Sequence, residues 1–214
     1  MKAPSKEKII RDPFPAGTHH AICYGVVDMG TQEVKSTMYG DKMKRQIRLQ
    51  WEVPKFRVSY ETGGVESEGP KVIGKTYTFS MYSKAKLAEH LTAWGFSNLD
   101  NLDTKDLLGA NCLLGVAHFT KPDPSDPNNR GKDQTFSFVS SVQALVDGME
   151  TKQPENPLMY YSIEEHGKEI PSCVYPWMLE AIGKSSEFAA MEHAKGVLGE
   201  PDLPDDIGYN DIPF

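Results

Sequence analysis

The chain has 214 residues, 39% hydrophobic and 10% aromatic. That is enough for a packed core and too apolar for a wholly disordered polymer. No stretch reaches the roughly 20 apolar residues of a membrane helix, and the opening residues lack the apolar block of a secretory signal, so a cytoplasmic protein without membrane contact is expected. Cys23, Cys112 and Cys173 are far apart, which argues against a disulfide framework and a Cys-rich zinc site.

Breakers at Pro15, Ala16 and Gly17 precede a first predicted strand over residues 18–29, rich in β-branched and aromatic side chains. Residues 43–53 alternate cleanly. Ile47, Leu49, Trp51 and Val53 face one way and Lys44, Gln46, Arg48 and Gln50 the other. Pro54 is expected to interrupt the ladder or mark a bulge. Residues 56–60 continue extended into the turn signal Thr62-Gly63-Gly64, so a ribbon is expected to project here. Residues 71–81 return as a third strand carrying Ile73, Tyr77 and Phe79, and Lys75 shares their register.

Ser83 is the expected N-cap for a helix with Leu87, Leu91 and Trp94 on one stripe and Gly95 at its end. A short helical turn is expected over residues 103–108. The apolar run 110–120 reads as a mostly buried strand, 122–134 as a long polar loop, and 135–145 as the last strand. Beyond Gly148 the pattern breaks into proline-punctuated chain with short helices over residues 176–182 and 185–194.

The fold class expected is mainly β: a five-stranded OB-fold barrel, with a helix between strands 3 and 4, over residues 1–148. A partly helical appendage spans 149–198 and a disordered acidic tail 199–214. The OB-fold is a small Greek-key barrel that often binds oligonucleotides, although fold alone proves no activity.

The net charge of −7 hides an asymmetry. Residues 42–86 carry ten bases and four acids, a local +6, whereas residues 149–214 carry 13 acids and four bases, a local −9. An anionic polymer meets the local field, because screening acts over about 10 Å. Single-strand binding needs cations for phosphates and aromatic faces for bases. Lys44, Arg48, Lys55, Arg57 and Lys75 are the candidate phosphate contacts, with Arg45 at the rim. Tyr60 and Tyr77 are the candidate stacking platforms, and Tyr77 fits the core register equally well. Trp51, in register with Ile47 and Leu49, is expected in the core.

The last sixteen residues hold five acids, Glu200, Asp202, Asp205, Asp206 and Asp211, and no base. They end on an apolar plug, Ile212-Pro213-Phe214. A phenylalanine ring can fill a pocket while the adjoining carboxylate takes a basic clamp, so Asp205, Asp206, Asp211, Ile212, Pro213 and Phe214 are the candidate partner-binding residues. This ending resembles the acidic tip of bacterial and phage single-stranded DNA-binding proteins, many of which finish Asp-Ile-Pro-Phe. The body resembles a phage and prophage group of replication or single-strand-binding proteins, through Pro15-Ala16-Gly17, Asp28-Met29-Gly30-Thr31-Gln32 and Tyr77-Thr78-Phe79-Ser80.

The resemblance implies a protein of a bacterial host cell that coats single-stranded DNA and recruits replication, recombination and repair proteins through its tip. Bacterial members join core and tip by a long Gly/Gln-rich linker, whereas residues 149–198 here look partly structured. That departure points away from the bacterial tetramer and leaves a homodimer open.

Catalytic and metal motifs are missing from the sequence: there is no HExxH, GxSxG or P-loop. No enzyme activity, cofactor or metal is expected. The alternative reading is an adaptor or decoy whose tip mimics the single-strand-binding signal to capture host enzymes, which leaves the basic strand face idle.

Overall fold

A computed structural model describes residues 12–35, 40–62, 65–121 and 134–197. Three long strands come first: β1 (Gly17–Val34), β2 (Lys42–Thr62) and β3 (Val65–Thr78). Helix α1 (Lys86–Trp94) and two 3₁₀ turns lead into β4 (Asn111–Lys121) and β5 (Gln134–Gln143). These strands form a curled antiparallel half-barrel in the order β3-β2-β1-β4-β5.

The alternation in the second strand sorts as its period requires. Ile47, Leu49, Trp51 and Val53 are all buried in a cluster with Ala21, Cys23, Leu91, Leu114 and Val142. Each valine, leucine and isoleucine among them contributes roughly 1.5–3 kcal/mol on leaving water. The two segments expected around Pro54 are one strand, and the β2–β3 ladder slips register between Val53 and Arg57. Lys75 lies in the inward register of Ile73 and Tyr77. It survives there because its ammonium donates to the Val139 carbonyl at 2.7 Å, a polar stitch between β3 and β5.

Two local expectations change. Residue 85, not Ser83, occupies the N-cap of α1, and Ala85 offers no side-chain acceptor to the first turn. At the other end Gly95 has φ 110°, the left-handed conformation that a C-terminal glycine supplies without Cβ strain. The third strand begins earlier and ends earlier than residues 71–81. The loop over 122–133, the Gly63-Gly64 turn and the tail over 199–214 lie outside the described residues.

The described residues of 149–197 pack directly against the first strand. Strand β6 (Met159–Tyr161) pairs in parallel with β1. Helices α2 (Ile163–His166), α3 (Pro176–Gly183) and α4 (Ser186–Val197) follow. Residues 21–30 of β1 are consequently buried throughout. Two register shifts, between Cys23 and Gly25 and between Asp28 and Gly30, let this strand serve both sides. Tyr24, Val27 and Met29 point into a second core with Met159, Tyr161, Ile163, Val174, Met178 and Ile182. Gly30 has φ 67°, and a Cβ there would lie 2.7 Å from the Ser185 hydroxyl, so the close approach of the 182–186 segment requires glycine.

Polar contacts pin the same layer down. Glu52 is fully buried, and its carboxylate accepts from Glu155 N at 2.7 Å, Asn156 N at 2.9 Å and Asn156 Nδ2 at 2.6 Å. Thr31 donates its amide and hydroxyl to the Glu187 carboxylate, each at 2.7 Å.

Candidate nucleic-acid interface

The structure divides the eight sequence-derived contacts into three groups. Lys44 and Lys55 are exposed, with the Lys55 ammonium 5.8 Å from the centroid of the Phe56 ring. Tyr60 is 48% exposed on the projecting β2–β3 ribbon. These keep the surface position that contact with a polynucleotide requires.

Four are engaged within the protein. Arg45 pairs with Asp28 at 2.7 Å and with Glu164 at 2.6 Å, and these partners hold its pKa above the ordinary arginine value. Arg57 pairs with Glu68 at 3.0 Å and Glu155 at 2.8 Å, again with a raised pKa. Lys75 closes the β3–β5 seam, and burial lowers its pKa. Tyr77 is 3% exposed, with its hydroxyl 2.8 Å from His90 Nδ1. A base cannot stack on a ring inside the core, so the platform role expected for Tyr77 is corrected to a structural one.

Arg48 is intermediate. Its Nη1 donates to Thr76 Oγ1 at 3.0 Å, and its guanidinium lies 4.7 Å from the centroid of Trp177 on α3. The polar face of β2 is thus partly roofed by the C-terminal layer. The +6 read from the sequence overstates the available charge, because four carboxylates neutralise Arg45 and Arg57 where they stand.

The sequence reading missed an aromatic platform on β4 and β5. Phe119, Phe136 and Phe138 are 39%, 41% and 40% exposed. Phe119 stacks on Phe136 with centroids 5.4 Å apart and an interplanar angle of 20°, and Phe138 lies 5.7 Å from Phe119. Cross-strand register creates the group: Phe119 is opposite Phe136 and Ala117 opposite Phe138, so all three rings share a face. The Lys121 ammonium sits 5.3 Å from the Phe119 centroid. Spacing of Phe136 and Phe138 by two was the available signal. The apolar run before Phe119 masked it, because Val116 ends the buried part of that strand.

A cleft of about 330 Å³ opens beside Arg45, between Asp28, Phe79, Asp103, Tyr160, Glu164 and Glu165. Its carboxylates repel phosphate, which makes it a poor surface for a polyanion. Among the described residues, no group of three or more His, Cys, Asp or Glu side chains is placed to hold a metal, and no helix is long and apolar enough to cross a membrane.

No protein-family model, no curated protein and no solved structure matches the chain.

Proposed function

We propose that the protein binds single-stranded DNA without sequence preference, in phage replication, recombination and repair within a bacterial cell. Partner enzymes are recruited through the acidic segment ending Asp211-Ile212-Pro213-Phe214. The half-barrel is read as a five-stranded OB-fold with α1 between β3 and β4. The strand order and the Lys75–Val139 stitch between β3 and β5 support that assignment.

The observation that carries the reading is the exposed stack of Phe119, Phe136 and Phe138 beside Lys121. Every base has a π-face, so such rings bind strand without reading its sequence, at about 1–3 kcal/mol per stacked base. Exposed Lys44, Lys55 and Lys121 supply cations for the backbone. No catalysis is assigned to these residues.

The test is anisotropy of labelled oligo-dT, against duplex DNA, at low ionic strength. The intact chain should prefer the single strand, and Phe119→Ala should weaken binding by about tenfold, the order expected for one lost stack. Failure of the intact chain to bind the oligonucleotide would transfer the phenylalanine patch to the adaptor reading. That rival is favoured by the apolar character of the patch and by the neutralisation of Arg45 and Arg57.

A further inference from the structure

Three arginines project from β2, and their surroundings differ sharply. Arg45 and Arg57 each contact two carboxylates. Arg48 contacts none among the described residues. Its Nη1 donates to the neutral Thr76 hydroxyl, and its Nε is buried without a hydrogen-bond partner among the described residues. Burial lowers the Arg48 pKa, so the charged form is held at a cost that an arriving anion would relieve. Gly74 sits beside it, and a Cβ at that position would come within 2.8 Å of Nη2.

The second component comes from the C-terminal layer. Trp177, in the first turn of α3, faces the Arg48 guanidinium at 4.7 Å and remains 48% exposed. Arginine over indole is a stable cation–π contact, and it leaves the far side of a large aromatic ring to solvent. The anchoring is firm. Tyr175, two residues earlier, bonds through its hydroxyl to the Tyr24 hydroxyl at 2.8 Å, and Met178, the next residue, is fully buried. A free aromatic face next to an uncompensated guanidinium has the chemistry of one nucleotide unit: a base to stack and a phosphate to pair.

We infer that Arg48 and Trp177 form a nucleotide subsite assembled across the junction of β2 and α3, with a base of single-stranded DNA on the open face of Trp177 and the adjoining phosphate on Arg48. This rests on the single-strand reading above. It makes the C-terminal layer part of the binding surface rather than only a cover for β1.

The three tryptophans allow a direct test on the full chain. Trp51 and Trp94 are 0% and 5% exposed, so acrylamide reaches Trp177 preferentially. Oligo-dT should quench emission and protect Trp177 from acrylamide. Trp177→Phe should abolish that signal while labelled-oligonucleotide anisotropy shows near-normal affinity. Trp177→Ala should weaken binding at least fivefold, the lower bound of one lost stack. Arg48→Gln should reduce the slope of log affinity against log salt by about 0.7, the increment for one phosphate on a single strand, and Arg48→Lys should restore it. An oligonucleotide that binds by anisotropy but leaves acrylamide access, the Trp177→Ala affinity and the Arg48→Gln salt slope unchanged overturns the subsite and spares the function. No binding by the intact chain removes both.

Discussion

The Tyr77 hydroxyl lies 2.8 Å from His90 Nδ1, with both side chains at most 5% exposed, so a titratable imidazole is built into the barrel core. Burial, reinforced by the ammonium groups of Lys75 and Lys86 and opposed by Glu89, pushes the His90 pKa down from 6.5 to about 4. Between those values the unfolded chain binds a proton that the folded chain refuses. The stabilisation from neutral His90 is therefore complete above pH 6.5 and is lost as pH falls toward 4, by at most about 3 kcal/mol. Thermal melts of the intact chain and His90→Gln between pH 7 and 4.5 should show a steeper acid loss for the intact chain. Parallel curves would contradict this.

Glu52 is the second buried polar anchor, and its three donors come from residues 155 and 156. Replacing it with alanine strands all three. Glu52→Ala should cost about 3 kcal/mol or more in urea unfolding and should admit protease near residues 150–158. A variant as stable and as resistant as the parent would show that the loop is held by other contacts.

Arg45 is committed to ion pairs with Asp28 and Glu164, which separates it from the lysines of the proposed DNA surface. Its removal leaves the mostly buried Asp28 carboxylate with two backbone donors, from Gly30 and Ile163, and no cation. Arg45→Ala should lower stability by about 1–3 kcal/mol, less than for a fully buried pair because Arg45 is 30% exposed. Its oligo-dT affinity should stay within about twofold of the parent, since a 0.4 kcal/mol change is no larger than that. Lys44→Ala should do the reverse.

The acidic tail yields a prediction from sequence alone. On the proposed function, the five carboxylates of residues 199–214 would compete with DNA for cationic surface through screened attraction. Removing residues 200–214 should tighten single-strand binding at low salt, have little effect at high salt, and abolish recruitment of replication or repair proteins. Affinity that ignores the deletion at low salt would rule out competition.

How far the sequence exposed this architecture depends on the range of the interaction involved. Ile47, Leu49, Trp51 and Val53 could be assigned to the core because a strand repeats every two residues, and Pro54 and Gly95 announced a register slip and a helix end through local backbone constraints. The distant partners of Arg45 and Arg57 could not be read, because Glu164 and Glu155 lie 119 and 98 residues away along the chain. No local pattern distinguishes a paired arginine from a free one. Phe119 was hidden by its own strand, whose apolar run continues past the point where the half-barrel stops covering it. Trp177 sits on a helix of eight residues, too short for periodicity to say which face meets solvent.

The parallel pairing of β6 with β1 has a consequence for biosynthesis. Gly25 finds its neighbour in Met159, and Tyr24, Val27 and Met29 find their cover only in residues that follow. A ribosome must therefore deliver the chain through Ile182 before the first strand is sheltered on both sides. A nascent or truncated product ending near residue 148 would present that greasy strip to its surroundings, making it a natural client for chaperones and a poor choice of boundary for producing the barrel alone.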